Sequence, residues 1–469
     1  MKSLHLPYNL VGKLIFLFIL LAAFIQVLFQ QQLHLFLLIS VLWLSSSFVL
    51  ILVLHKLTID VSESVFCITL FIVTIIWGTF LIIISSTSLS FFRGMPFVGM
   101  DDVEYNIQQI DIANRLINRG KIEIDLLDSG FYAGYANFGG IIMYLVGIPH
   151  WSIPRIATVI LFASSSVLFY TIMRSCYTLK ASRIISFIFA LSPMFIFYAV
   201  FQLKDSLIIF LLLIAFSSAF NISKGRSIVW NILLMISALA CLIPIRAMTI
   251  VSVLLAITLY WIHITSGIKR WASLFLVISI CMGIIYVWNY SSSFGTFMTP
   301  NDYYDVRFSL LGDSQRLTGE NSVLANSSFA YIVSAPLFIL LSPLVPIPTA
   351  LLFVNPEYPN LNHDFSNNIF LYALLPFFLM SVIIWYNNRK EYRSVTLFIF
   401  FFLIYKIGTA LSGMALWSFR QSLPATMALL MIIPISFENY QIRLGRKLTI
   451  FLLSFLYVAW SLFRLYIRS

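Results

Sequence analysis

Long apolar segments alternate with short polar ones along most of the chain. A hydrocarbon core about 30 Å thick needs about 20 apolar residues in one helix. The pattern predicts about 13 transmembrane helices in an all-α polytopic bundle, a single integral membrane domain over residues 1–469. The predicted spans are 14–30, 33–55, 65–86, 156–173, 183–202, 206–222, 228–246, 248–265, 271–289, 368–387, 395–412, 420–437 and 448–465.

Two further apolar segments, 136–150 and 331–353, are predicted to cross only part of the membrane. The first is short and contains Gly139, Gly140 and Gly147, which we expect to break it up. The second is rich in proline, which interrupts helices. Re-entrant or broken segments are tolerated only where protein or water covers the backbone. The prolines are Pro336, Pro343, Pro346 and Pro348.

The basic residues gather in short loops and at the ends of the spans. Cytoplasmic loops carry an excess of lysine and arginine, so we expect all of these groups on the cytoplasmic side. They are Lys2/Lys13, Lys56, Arg174/Lys180/Arg183, Lys224/Arg226, Lys269/Arg270, Arg389/Lys390/Arg393 and Arg443/Arg446/Lys447. If 136–150 crossed the membrane fully, the third group would lie outside, against this rule.

This orientation predicts two large regions on the outer side. The first is the loop at 87–135. The second is 290–367, which consists of the polar segments 290–330 and 354–367 with the proline-rich segment between them. Most of the 18 acidic residues then lie on the outer face. Carboxylates concentrated beside a membrane indicate a site that acts on a polar molecule.

The overall composition agrees with a membrane protein and argues against nucleic acid as a partner. Hydrophobic residues make up 60% of the chain and charged residues 10%, whereas soluble proteins average about 25% charged residues. The net charge of +11 is scattered at span ends, as expected for orientation signals and contacts with lipid headgroups. The four cysteines, Cys67, Cys176, Cys241 and Cys281, have no metal-ligand spacing.

The segment MDDVEYNIQQIDIANRLINRG in the first outer loop predicts an amphipathic helix on the membrane surface. Asp101 is placed to cap the helix, with Glu104 three residues later as in a capping box. The apolar stripe is Val103, Ile107, Ile110 and Ile117, and Gly120 stops the helix. Asp101 and Glu104 as helix caps and nothing more is one interpretation of this pattern. Catalysis by the adjacent pair Asp101 and Asp102 is the other.

Several segments together resemble a known class of membrane enzymes. The acidic pair, the juxtamembrane helix and the stretch GFYAGYANFGGIIMYLVG resemble the GT-C class of membrane glycosyltransferases. LSPMFIFYAVFQLKDSLIIFLLLIAF, IPIRAMT and WSFRQSLPATMALLMIIP resemble segments of bacterial surface-polysaccharide polymerases. The resemblance covers residues 95–260 and 405–435.

The resemblance implies a GT-C-like fold and an inverting glycosyltransferase on the periplasmic face of the bacterial inner membrane. Such an enzyme transfers a sugar or oligosaccharide from a polyprenyl-(di)phosphate carrier to a glycan or lipid-linked acceptor. It implies a repeat-unit polymerase of the O-antigen or capsule type, or a single-sugar transferase, and a possible polysaccharide-assembly complex. Asp101 or Asp102 would be the general base. No cofactor is implied, and no second DxD motif supports a divalent metal.

The enzyme would also need cations to hold the lipid phosphate and stabilise it as it leaves. Charged residues inside or beside a span are functional hypotheses by default. The alternative is that they snorkel to headgroups, or that Lys204 and Asp205 neutralise each other. The candidates for lipid-phosphate or substrate binding are Lys204, Asp205, Arg246, Arg307, Lys406, Arg420 and His363.

A flippase or another secondary transporter is the alternative function. It predicts repeated halves with paired broken helices and ion-coupling residues at the membrane midplane. The sequence has no evident internal repeat, and no Walker motif for ATP coupling.

Overall fold

The computed structural model describes residues 61–86, 100–122, 127, 133–201, 203–265, 359–411 and 419–438. Every regular element in these ranges is helical, which confirms the all-α prediction for this part of the chain. Four helices are long and apolar enough to cross a membrane, or five if one bent pair counts as a single span. The predicted spans 14–30, 33–55, 271–289 and 448–465, the proline-rich segment 331–353 and the loop 290–330 lie outside the described residues.

Twelve α-helices follow one another along the described chain. They are α1 (Val61–Ser86), α2 (Met100–Arg119), α3 (Ala133–Val146), α4 (Ser152–Cys176), α5 (Leu179–Leu191), α6 (Pro193–Val200), α7 (Asp205–Ser223), α8 (Ile228–Ile264), α9 (Pro359–Asn387), α10 (Thr396–Leu411), α11 (Phe419–Ile432) and α12 (Pro434–Glu438). Helices therefore occupy each predicted span that these ranges cover.

Helices α1 and α4 run antiparallel and define the two ends of the bundle. At one end, Arg174 Nε donates to Glu63 Oε1 at 2.7 Å. Toward the other end, Gly78 lies so close to Val159 that an added Cβ would be 2.6 Å from a methyl group. Small residues of this kind let membrane helices approach closely.

Three of the basic groups lie together at the first of these ends, which we call the positive end. Arg183 donates to the Ser62 carbonyl at 3.4 Å, at the start of α1. Cys176, the last residue of α4, lies beside Lys224 and Ser394. Arg393 in turn donates to the His263 carbonyl at 3.2 Å, near the end of α8. The groups around Arg174, Lys224 and Arg393 therefore share one side of the bundle.

Helix α8 is a hairpin of two arms, because the same end of α7 contacts both its beginning and its end. Asn221 Nδ2 donates to Asn231 Oδ1 at 3.2 Å, and the Phe220 ring lies 5.6 Å from that of Tyr260. Between them, Arg246 reaches the far end of α7 and has non-helical backbone angles (φ −161°, ψ 82°), two residues after Pro244. A proline lacks the N–H of a helical hydrogen bond, so the reversal occurs where the helix is weakest. The predicted spans 228–246 and 248–265 correspond to these arms.

The predicted span 183–202 is a bent pair of helices. Helices α5 and α6 meet at Ser192–Pro193 with a bend of 45°. The residue before a proline is disfavoured in helical geometry, and Ser192 has extended backbone angles (φ −58°, ψ 124°). The proline therefore bends the chain between two helices, as in a broken span or a re-entrant loop.

Helices α2 and α3 pack in parallel, in a way that corrects one prediction. Tyr105 meets Tyr135, Gln109 meets Gly139, and Ile112 meets Gly140, so the numbers rise together on both helices. Gly139 and Gly140 do not break the segment. They lie inside the continuous helix α3 and leave room for Gln109 and Ile112, whose atoms an added Cβ would strike.

Gly147, the third glycine of that segment, does end the helix. It has a positive φ of +78°, and its N–H donates to the Met143 carbonyl at 2.9 Å. This is the usual role of glycine after a helix.

Helix α3 does not connect the two ends of the bundle. Its beginning, at Gly134, contacts Pro244 beside the reversal of α8. Its end leads into α4 through a compact turn in which Ile148 N donates to Met143 O and Ile153 N donates to His150 O. The first turn of α4 contacts Phe201, at the same end of the bundle. With 14 residues, α3 is about 21 Å long, shorter than the hydrocarbon core is thick, and the partial crossing of this segment stays a prediction.

Candidate functional site

A buried ion pair lies at the end of the bundle opposite to the positive end. Asp205 is the first residue of α7, and its side chain is 1% exposed. Arg246, at the reversal of α8, places Nη2 3.2 Å from Asp205 Oδ1. A carboxylate in the first turn of a helix is favoured by the helix dipole. The pair therefore joins the start of α7 to the turn of the hairpin.

A third helix contributes to the same cluster. Tyr405 on α10 is buried, and its hydroxyl lies close to the side chains of Arg246 and Thr249. We call Asp205, Arg246, Thr249 and Tyr405 the Asp205 cluster. Three helices, α7, α8 and α10, thus meet at this polar cluster.

Two lysines adjoin this cluster in the sequence, and both are buried. Lys204 immediately precedes Asp205 and is 8% exposed, and Lys406 immediately follows Tyr405 and is 6% exposed. Lysine is almost never buried without a partner. Their burial therefore sets them apart from the exposed lysines that lie near headgroups.

Arg155 is a further buried cation, and the sequence reasoning missed it. Its side chain is completely buried, with the guanidinium 4.7 Å from the Trp151 ring centre and 5.7 Å from that of Phe201. Such geometry is typical of cation–π contacts. Phe201 begins the turn that leads to Lys204 and Asp205. The signal was present, because Arg155 adjoins the predicted span 156–173 and charges at span edges are functional candidates.

His150 precedes this region in the turn between α3 and α4. Its Nδ1 lies 2.8 Å from Ser152 Oγ and accepts a hydrogen bond from the Ser152 backbone N–H at 3.3 Å. Burial lowers the pKa of His150 below its ordinary value, and the positive charge of Arg155 lowers this pKa further. Both effects disfavour the charged form of His150.

The site carries an excess of positive charge. Among the described residues, the buried charged side chains are Arg155, Lys204, Asp205 and Lys406, and Arg246 is partly buried beside them. Asp205 is the one carboxylate among these described side chains. Guanidinium and ammonium groups are the side chains that bind phosphates and carboxylates, so this end of the bundle has the chemistry to bind an anion.

The other predicted residues are placed only in part. Asp101 and Asp102 lie in the first turn of α2. The Tyr105 ring, one turn further on, is 5.1 Å from the Tyr135 ring, and α3 begins against Pro244. The acidic pair therefore begins a helix that reaches the same end as the Asp205 cluster.

Arg420 lies on α11 and His363 on α9, but the orientation of both side chains lies outside what the structure describes, as does Arg307 entirely. Within the described ranges, no group of three or more histidine, cysteine, aspartate or glutamate side chains is arranged to hold a metal ion. Of the predicted residues, the structure thus brings Asp205 and Arg246 into direct contact, with Lys204 and Lys406 adjoining their cluster.

Comparisons with known proteins give no family for this chain. No protein-family model matches it, and no curated protein matches it. Its function must therefore be argued from the chemistry of the Asp205 cluster and the cations around it.

Proposed function

We propose that the protein is a glycosyltransferase that acts on the outer face of the bacterial inner membrane in cell-surface polysaccharide assembly. Its donor is a sugar or oligosaccharide linked to polyprenyl phosphate or diphosphate. The observation that carries this proposal is Arg246, held 3.2 Å from the buried Asp205 at one end of the bundle, with the buried lysines Lys204 and Lys406 next to this cluster in the sequence. A lipid-linked phosphate is an anion that reaches such a site from within the membrane.

Arg246 is the residue best suited to hold the phosphate. The planar guanidinium forms two parallel hydrogen bonds to a phosphate group, and Asp205 at 3.2 Å fixes its position. Lys204 and Lys406 add positive charge, and an ammonium group attracts a phosphate without requiring a particular hydrogen-bond geometry. Cations already in place where negative charge develops stabilise the departing phosphate.

The acceptor hydroxyl needs a general base, and Asp101 or Asp102 takes this role in the proposal. A carboxylate removes the proton as the acceptor oxygen attacks the anomeric carbon, and direct attack inverts that carbon. The position of the pair at the start of α2, whose first turns pack beside α3 near Pro244, supports this role. A repeat-unit polymerase and a single-sugar transferase would both use this arrangement.

The test is to reconstitute the purified protein in vesicles with a polyprenyl-diphosphate-linked oligosaccharide and to measure glycan length by gel electrophoresis. We expect longer glycans with the wild type, and none with the Asp101→Asn/Asp102→Asn variant. Arg226→Gln, which changes an exposed arginine at the positive end, is the matched control and should keep activity. Transfer of the lipid-linked sugar across the bilayer without elongation would overturn the proposal in favour of a flippase.

A further inference from the structure

The first arm of α8, Ile228–Arg246, lies at the edge of the bundle. Only 28% of this apolar segment is buried, compared with 67% for Asp205–Ser223 in α7. It packs through one stripe, which is Asn231, Ala238, Leu242 and Ile245. Among the residues that the structure describes, most of the large side chains on the rest of its surface are exposed.

A second stripe of large apolar side chains follows the open side of this arm. Leu233 is 51% exposed, Ile236 55% and Ile243 50%. Spacings of three and seven residues keep side chains on one face of a helix. The ten steps from Leu233 to Ile243 rise by about 15 Å along the helix axis. We call Leu233, Ile236 and Ile243 the α8 stripe.

The α8 stripe ends at the most accessible cation of the site. Arg246 follows Ile243 by three residues, and its side chain is 16% exposed, whereas Lys204 and Lys406 are more deeply buried. The helix reverses at Arg246, so the stripe ends one turn before the residue that carries the guanidinium. An apolar track that ends at a guanidinium complements a molecule with a long apolar tail and an anionic head.

We infer that the isoprenoid tail of the lipid-linked donor lies along the α8 stripe, with its phosphate groups on Arg246. This inference rests on the proposed function and adds the route by which the donor approaches from the membrane. Lipid tails are as apolar as leucine, so the stripe gains little from the hydrophobic effect itself. Its contribution is to align the tail by van der Waals contact, and we expect moderate effects from single changes.

Direct labelling tests the position of the tail. The wild-type protein in vesicles would be irradiated with a polyprenyl diphosphate that carries a diazirine in its isoprenoid chain, and the labelled residues mapped by mass spectrometry. We expect adducts on the α8 stripe that excess unlabelled polyprenyl diphosphate removes. Labelling that falls equally on Ile184 of α5, which is 42% exposed, or that resists competition, would overturn the inference.

The contribution of Arg246 is tested with the double variant Asp205→Asn/Arg246→Gln, which removes both charges of the pair and leaves no buried carboxylate alone. We expect labelling of the α8 stripe to fall about tenfold at a fixed probe concentration. The conservative Arg246→Lys variant keeps the charge and should lose less. Equal labelling of the wild type and the double variant would separate the tail from Arg246 and overturn the inference.

Chain length gives a second, independent test. Ile236→Trp and Ile243→Trp should raise the KM for a long-chain donor about threefold to tenfold, and leave the KM for a farnesyl-length donor unchanged. Ile184→Trp is the matched control on another exposed helix face. An equal rise with both donors, or with the control, would contradict a tail on the α8 stripe.

The two proposals fail in different ways. If unlabelled lipid competes with labelling of the α8 stripe but no sugar is transferred, the proposed glycosyltransferase activity is wrong and the lipid site stands. If sugar is transferred but labelling is spread over all exposed helix faces, the proposed activity stands and the proposed lipid site is wrong.

Discussion

The two ends of the bundle use the same basic residue types in opposite environments. At the positive end, Arg174 pairs with Glu63 at 2.7 Å with a side chain that is 40% exposed, and Lys224 and Arg226 are exposed. At the opposite end, Arg155, Lys204 and Lys406 are buried, and the carboxylate of Asp205 is buried with them. The basic side chains at the two ends therefore differ in how exposed they are, although they are of the same residue types.

This difference in exposure shows which basic side chains need an explanation other than the orientation of the protein in the membrane. An exposed cation near headgroups costs little, and it orients the protein through its charge alone. A buried cation loses its hydration, so its position needs a cause other than orientation by charge. Arg246 beside Asp205, with Lys204 and Lys406 next to them in the sequence, agrees with the proposed anion site, whereas the exposed cations of the positive end do not.

The largest expected effect comes from breaking the buried ion pair. Asp205→Asn or Arg246→Gln alone leaves a buried charge, and we expect each to lower the free energy of unfolding by about 3–5 kcal/mol. Arg174→Gln at the positive end should cost about 0–1 kcal/mol, as surface pairs do. Denaturant unfolding in detergent measures both.

The double variant Asp205→Asn/Arg246→Gln is the control for that prediction. It should be more stable than either single variant, because no lone charge remains buried. If the single variants at the two ends lower the free energy of unfolding equally, the Asp205–Arg246 pair is no more important to stability than the Glu63–Arg174 pair.

The sequence predicted the members of this site better than their contacts. Lys204, Asp205 and Arg246 are visible as charges at span edges, since few charges occur in so apolar a chain. The contact between Asp205 and Arg246 joins residues 41 positions apart in sequence across two helices, and helical periodicity carries no information about such pairs. Tyr405 was missed for a related reason, because a tyrosine inside a span gives no charge signal.

The glycines of α3 show a second limit of the sequence. A pair such as Gly139–Gly140 is compatible with a broken helix and with a tightly packed one. The choice depends on whether another helix supplies a partner, and here Gln109 and Ile112 of α2 do so. The shortness of this helix was predictable, because it follows from the length of the apolar segment.

Loss of a basic side chain should lower the rate of sugar transfer at the end that holds the Asp205 cluster and not at the positive end. Lys406→Gln removes a buried cation of the site, and we expect kcat for sugar transfer to fall about 10²–10³-fold, the scale for one lost group that stabilises developing charge. Arg226→Gln at the positive end should leave kcat unchanged. The measurement is initial rates in proteoliposomes at matched protein content. Equal kcat values for the two variants would contradict an anion site at the opposite end.

The packing that brings α2 to the site can be tested in the same way. Gly139→Ala adds a methyl group that strikes Gln109, and overpacking of this kind costs about 1–3 kcal/mol in unfolding free energy. Because α2 begins with Asp101 and Asp102, activity should fall with stability. Adding Gln109→Ala to Gly139→Ala removes the clash, so the double variant should recover part of the loss. Additive losses would show that the two residues do not meet.

The smallest expected effect is a dependence of stability on pH that arises at His150. Its pKa in the folded protein is lower than its ordinary value of 6.5, because of burial and of the charge on Arg155. The unfolded chain therefore binds more protons just below pH 6.5, and stability must rise with pH there. The stabilisation is complete above pH 6.5 and is lost as the pH falls toward the lower pKa of the folded state. His150→Asn keeps an acceptor for the Ser152 N–H and removes the titration. Thermal unfolding of both proteins between pH 5 and 8 should give a flatter profile for the variant, and parallel profiles would mean that Arg155 and the burial at this end do not act on His150.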